Sequence, residues 1–187
     1  MSRIVAGTYG GRRIATPVGD ETRPTSDRVR EAMFASLDSV HAIYGRRFLD
    51  LYAGSGAIGL EAASRGADHV LMVENDAKAA RVIRENVALL QAFEVATVSG
   101  SAVSVLLAGG PIGGRYDCVF ADPPYALPES SLTAMLAALV EHDWLEPDAM
   151  VVIERSKRSP EPAWVDGITP LRSRRYGETM LWYGRRS

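Results

Sequence analysis

Two consecutive prolines stop a strand in the second half of this chain. The run Tyr116-Asp117-Cys118-Val119-Phe120-Ala121 has the composition of a buried strand, and Asp122-Pro123-Pro124-Tyr125 follows it without a break. Paired prolines cannot supply the N–H groups of a central strand, so the strand must end there and present an acid, a proline carbonyl and an aromatic ring at a sheet edge. Those three groups together can hold a flat base by its amino group. Earlier in the chain, Phe48-Leu49-Asp50-Leu51-Tyr52-Ala53-Gly54-Ser55-Gly56-Ala57-Ile58-Gly59 reads as a strand, a glycine loop and the start of a helix.

Between and beyond these two segments, strand and helix patterns alternate, the signature of an α/β fold with a parallel sheet covered on both faces. The predicted strands are Phe48 to Tyr52, His69 to Val73, Glu94 to Val98, Tyr116 to Ala121, Ala149 to Ile153, Ile168 to Arg175 and Thr179 to Tyr183. Ala80, Ile83, Val87 and Leu90 mark one intervening helix, and Leu132, Met135, Leu136, Leu139 and Val140 another. Only Tyr176-Gly177-Glu178 joins the last two strands, which is too short for a crossover helix, so they must form an antiparallel hairpin. Residues 1–45 read as a small hairpin and helix preceding the main domain at 46–187. The hairpin is predicted from Arg3-Ile4-Val5-Ala6 and Arg12-Arg13-Ile14-Ala15. The helix is capped by Ser26, with Val29, Met33, Phe34, Leu37 and Val40 facing inward and Arg28 and Arg30 facing outward.

A length of 187 residues with 47% hydrophobic content suits one domain with a small appendage. The single Cys118 excludes a disulfide framework, and no apolar run reaches the length of a membrane span or a signal-peptide core, so the chain reads as cytoplasmic. The net charge of −2 conceals a division. Residues 1–47 carry 8 Lys and Arg against 5 Asp and Glu, residues 48–154 carry 5 against 15, and residues 155–187 carry 8 against 3. Basic ends on an acidic body suggest a local cationic surface for phosphate-backbone contact. His41, His69 and His142 lack ligand spacing, and no metal is implied.

Gly54, Gly56 and Gly59 match G-x-G-x-x-G, and Glu74 ends the next strand, where a carboxylate can accept hydrogen bonds from ribose hydroxyls. A glycine loop by itself is a weak signal shared by many nucleotide folds. Its combination with Glu74-Asn75-Asp76 and with Asp122 is stronger, because all three fall at carboxyl ends of strands, where ligands bind in open α/β sheets.

Three segments carry a family resemblance over nearly the whole chain, about Arg3 to Tyr183: Arg23-Pro24-Thr25-Ser26-Asp27-Arg28-Val29-Arg30-Glu31-Ala32-Met33-Phe34, the glycine loop Asp50 to Ala62, and Asp122-Pro123-Pro124-Tyr125. Together they resemble the RsmD family, the bacterial guanine-N2 methyltransferases of 16S ribosomal RNA. The resemblance implies a Rossmann-like class I methyltransferase fold, with a seven-stranded, mostly parallel sheet ending in the antiparallel hairpin. It implies S-adenosylmethionine as cofactor, held by Asp50, Tyr52, Ala53, Gly54, Ser55, Gly56, Glu74, Asn75, Ser101 and Ala102. Catalysis would fall to Asp122, Pro123, Pro124 and Tyr125, and RNA contact to Arg12, Arg23, Thr25, Arg28 and Arg30. The partner would be 16S rRNA or an assembling small ribosomal subunit. Where related enzymes often carry an acidic or amide residue near the adenine, this chain has Ser99-Gly100-Ser101-Ala102, so Ser101 or backbone groups take that part. Competing readings are an adenine-N6 DNA methyltransferase, a glutamine-N5 protein methyltransferase, a nicotinamide-dependent oxidoreductase and a silent RNA-binding module. The last two give no reason for the prolyl motif.

Overall fold

The structure, a computed structural model, describes residues 2–18 and 26–187. Its elements run in the order β1 (Ser2–Arg3), β2 (Arg13–Ile14), α1 (Asp27–Ser39), β3 (Arg47–Leu51), α2 (Ala57–Ser64), β4 (His69–Glu74), α3 (Ala77–Leu90), β5 (Val95–Ser99), α4 (Ala102–Leu107), β6 (Tyr116–Ala121), α5 (Glu129–Glu141), β7 (Leu145–Ser156), β8 (Ile168–Tyr176) and β9 (Thr179–Arg186). Seven strands form one sheet in the order β5-β4-β3-β6-β7-β9-β8. The first five are mutually parallel; β9 runs antiparallel to both β7 and β8. From β3 the chain winds outward to β5 and then returns to β6 on the other side of β3. The reversal leaves a crevice at the carboxyl ends of β3 and β6, the switch point at which such sheets bind ligands.

Local sequence explains the elements that frame this crevice. Ser26 accepts a hydrogen bond from the Val29 amide and Asp27 occupies the positive first turn, which together start α1. Met33, Phe34 and Leu37 are fully buried against Phe48, Cys118 and Phe120 on one face of the sheet, and each contributes roughly 1.5–3 kcal/mol of burial. Val40, at the cap of that helix, is half exposed, because the chain has already left helical geometry there. The β1–β2 pair is short, yet Ile4 and Ile14 join the same core, and the buried Glu61 of α2 accepts from the amides of Val5 (2.8 Å) and Ala6 (3.1 Å). α4 and α5 cover the opposite face, where Tyr116 stacks on Trp144 and the Trp144 indole donates to the Leu106 carbonyl at 3.1 Å.

β7 is longer than the predicted Ala149 to Ile153. It begins at Leu145, which pairs with Tyr116, and passes through an irregularity at Glu146-Pro147-Asp148 before pairing resumes at Met150; Asp148 sits at φ 65°. Among the described residues no helix is long and apolar enough to cross a membrane.

Candidate active site

On the β3 side of the crevice the chain leaves the strand through backbone geometry that few residues adopt. Tyr52 (φ 59°), Gly54 (φ 59°) and Gly56 (φ 83°) are all left-handed. Gly54 and Gly56 take this conformation freely, whereas at Tyr52 the side chain opposes it by roughly 1–2 kcal/mol. Gly56 is the N-cap of α2 and offers no side-chain bond, so the helix presents its first amides to the crevice. Gly59 has a different role. A Cβ there would lie 2.6 Å from Met72 Sδ and 3.2 Å from Asp50 Oδ2, so its absence lets α2 approach the sheet.

Asp50 is fully buried. Its Oδ2 accepts from the Gly59 amide at 2.9 Å, while Oδ1 has no partner. Burial raises its pKa to about 8; the Gly59 hydrogen bond works against that rise, and the negative charge of Glu74 adds to it. Glu74 is held from two sides, Oε1 by the Gly54 amide (2.7 Å) and Oε2 by the Asp76 amide (2.9 Å). Each oxygen keeps a second lone pair, so the carboxylate is oriented without being saturated. Asn75 next to it is exposed, and Asp76 caps α3 through the Ala79 amide. Ser101, expected near the adenine, stands at the start of α4. Its hydroxyl caps α4, accepting from the Ser104 amide (3.2 Å) and donating to the Ser104 hydroxyl (2.7 Å), with Ala102 buried behind it.

On the β6 side, Ala121 ends the strand beside Ile153 of β7, and Asp122 follows at the mouth of the crevice, half-buried. Pro123 is buried, Pro124 exposed, and the Tyr125 ring is 66% exposed, free to take a partner on its face. The Pro124 carbonyl accepts from the Leu127 amide (2.9 Å) and from Arg155 Nη1 (3.2 Å), while Arg155 Nη2 donates to Glu129 Oε1 at 2.8 Å. Arg155 is only 3% exposed and its Nε is without a partner. Sequence reasoning missed Arg155 as a support of the substrate loop. The available signal was its place just past the predicted strand Ala149 to Ile153, on the side of the sheet ends where ligands bind.

One of the expected RNA contacts needs correction. Arg30 does not face outward with Arg28: it is fully buried, donating to the Arg3 carbonyl (2.9 Å) and the Ser2 hydroxyl (3.3 Å) and pairing with Asp27. Arg30, Met33, Phe34 and Leu37 stand at helical spacing on one face, so burial was readable from the periodicity. Arg12 donates to the Leu89 carbonyl at 3.2 Å, at the C-terminal end of α3, where a cation complements the helix dipole. Leu89 lies roughly 20 Å along the helix from its cap Asp76, at ~1.5 Å per residue. Arg28 is exposed on α1, and Arg23 and Thr25 lie outside the described residues. The described residues contain no group of three or more His, Cys, Asp or Glu that could hold a metal. Cys118 is buried and its thiol pKa is pushed up by burial, leaving it unreactive.

A mostly parallel sheet closed by an antiparallel hairpin, with a glycine loop and an oriented acid on one side of the switch point and an Asp-Pro-Pro-Tyr strand end on the other, defines a Rossmann-like S-adenosylmethionine-dependent methyltransferase. More particularly, the family model described as conserved hypothetical protein 95 matches residues 2–185, and the chain belongs to that family. It is 36% identical to the ribosomal RNA small subunit methyltransferase D of Escherichia coli K12 over 152 residues, covering 81% of this chain and 73% of that protein. The protein of the same name from Haemophilus influenzae is 33% identical over 159 residues, covering 84% and 80%. Among solved structures, the Escherichia coli methyltransferase yhhF superposes with a TM-score of 0.86 at 30% identity, covering 99% of this chain and 97% of that one.

Proposed function

We propose that this protein transfers a methyl group from S-adenosylmethionine to the exocyclic N2 of a guanine in the 16S rRNA of the small ribosomal subunit. The observation that carries this reading is the placement of Asp122-Pro123-Pro124-Tyr125 across the switch point from the glycine loop and Glu74. The residues present fit the cofactor on their own chemistry: Glu74 keeps acceptor capacity for the ribose hydroxyls, α2 presents amides suited to a carboxylate, and the unpartnered Asp50 Oδ1 suits an amine. When bound, S-adenosylmethionine supplies a methyl group already activated by its sulfonium, so the protein's part is orientation.

A guanine N2 amine is a weak nucleophile because its lone pair is delocalised into the ring. Asp122 and the Pro123 carbonyl accept hydrogen bonds from its two N–H groups, which orients the nitrogen and favours a pyramidal geometry with the lone pair directed at the methyl group, and the one proton that the methylated nitrogen sheds leaves along one of these bonds. Tyr125, exposed before the base arrives, stacks on the ring of a nucleotide turned out of its helix. The names of the relatives support ribosomal RNA over DNA or protein as substrate. The test is transfer of labelled methyl to 30S particles or 16S rRNA from cells lacking the gene, with the nucleoside identified by mass spectrometry. N2-methylguanosine is the expected product; N6-methyladenosine, or label only in protein, would overturn the reading.

A further inference from the structure

We infer that the ledge formed by the end of β7 and the β8–β9 hairpin, where Lys157, Arg158 and Arg175 surround Glu178, binds the phosphates of the RNA strand flanking the target nucleotide. This rests on the RNA reading above and assigns that substrate a second surface, separate from α1.

The ledge follows from the register. Ile153 pairs with Ala121, yet β7 continues to Ser156, which pairs with Thr179 of β9, itself opposite Tyr176 of β8. At ~3.3 Å per residue, the ledge therefore rises roughly 10 Å beyond the strand end that carries Asp122. Laterally it begins one strand from β6 and ends about 14 Å away, at ~4.8 Å per strand.

Its charge is one-sided. Arg158, Arg174 and Arg175 are exposed, and Lys157 is half-buried against Glu178, with Nζ and Oε1 2.7 Å apart. The Lys157 amide also donates to the Glu178 carbonyl at 2.8 Å and Arg175 Nε to the Gly177 carbonyl at 3.0 Å, so these cations gather at the hairpin turn that carries Glu178, whose carboxyl titrates below its ordinary range chiefly through the Lys157 hydrogen bond. One acid cannot neutralise the group. Two other cations of the C-terminal region are engaged elsewhere: Arg155 is buried, and Arg172 donates to the Ser36 hydroxyl and lies over the Tyr183 ring. The other side of the crevice has the opposite sign, with Glu74 and Asp76 at the end of β4. A phosphate chain leaving the crevice over β4 would meet carboxylates; one leaving over β7 and β9 meets guanidinium groups. Electrostatics thus orients the strand across the ledge.

The test is a salt titration of binding to a 16S rRNA fragment containing the methylated guanine. Two phosphate contacts at a slope of ~0.7 each for a single strand predict that Arg158→Gln with Arg175→Gln flattens the log–log slope by about 1.4, and weakens binding about 25-fold at 0.1 M salt. Glu178→Gln, which removes the competing anion, tightens binding, an effect that loss of folding cannot mimic. A control pair on α3, Arg81→Gln with Arg84→Gln, leaves slope and affinity unchanged. Protection from heat by S-adenosylhomocysteine stays at the wild-type level in every variant. A wild-type slope in the ledge pair, together with unchanged affinity in Glu178→Gln, overturns the assignment while leaving the RNA reading intact. A wild-type protein that binds no RNA at any salt overturns both.

Discussion

Arg155→Met should separate turnover from stability. The arginine ties the Pro124 carbonyl of the substrate loop to Glu129 at the start of α5, and its side chain is 2% exposed, so water cannot replace it in place. Methionine has nearly the same length and fills the space with apolar volume. The partners left behind are not stranded: the Pro124 carbonyl retains the Leu127 amide, and Glu129, 40% exposed, can rehydrate. The variant also removes an unpartnered buried Nε, a group that ordinarily costs about 1–3 kcal/mol. These opposing changes hold the stability difference to on the order of 1–2 kcal/mol, well below the 3–5 kcal/mol of a buried ion broken on one side only. Turnover is far more sensitive. With its anchor gone, the loop carrying Asp122 and Tyr125 shifts, and a displacement near 1 Å at reacting groups costs about 100-fold. Single-turnover methyl transfer should therefore fall by tens- to a hundred-fold, with S-adenosylhomocysteine affinity close to wild type. Arg155→Lys, a single point donor that reaches one acceptor at a time, should recover part of the rate. Wild-type single-turnover rates in Arg155→Met, or a loss matched by an equal loss of cofactor binding, would refute a positioning role.

The path from sequence to site was clear where local rules decide. Ser26 as a cap, the strand ending at Ala121 and the antiparallel finish all follow from turn chemistry and short connections, and the structure has each of them. Arg30 was misread because a cation was assumed to face water, although its spacing with Met33, Phe34 and Leu37 places it on the inward stripe. Burial is possible there because β1 supplies the Arg3 carbonyl and Ser2 hydroxyl, partners contributed through tertiary contact. Arg12 illustrates the same limit from outside: nothing within the hairpin says that α3 ends beside it. Arg155 follows closely on an apolar strand pattern, a place that points to the crevice, but nothing in that pattern says that the loop after β6 folds against its guanidinium. Tyr52 is a different case. Its left-handed backbone is imposed by the turn from β3 into the loop, where glycine is the usual solution, and its residue type gave no warning of it.

Asp122→Asn should reduce methyl transfer by the equivalent of about 2–4 kcal/mol in the barrier while leaving the thermal shift with S-adenosylhomocysteine in place; near-wild-type turnover would remove Asp122 from the mechanism. Glu74→Ala should weaken S-adenosylmethionine by roughly 1.5–3 kcal/mol in calorimetry, since it removes charge-assisted bonds and releases the Gly54 amide, with RNA affinity in the absence of cofactor unaltered. Asp50→Asn addresses the buried acid, whose pKa of about 8 stands above the ordinary carboxylate range because the ionised form is desolvated. The folded state therefore holds a proton that the unfolded chain has already released. The stability this confers is complete below the unfolded value and declines as pH rises through about 8, by up to about 1.4 kcal/mol per pH unit, levelling off above it. Asparagine is neutral throughout and its oxygen can still accept from the Gly59 amide, so the variant should lack that decline. The melting temperature of ligand-free wild type should accordingly fall relative to Asp50→Asn between pH 5 and 8, and run parallel to it above pH 9. Cofactor binding reverses the preference, because an amine placed against Oδ1 favours the ionised carboxylate. Wild-type affinity for S-adenosylhomocysteine should rise towards pH 8 and that of the variant should not. Parallel melting curves across the whole range would mean that Asp50 is already ionised in the free protein, and that the unpartnered oxygen carries its charge without the cofactor.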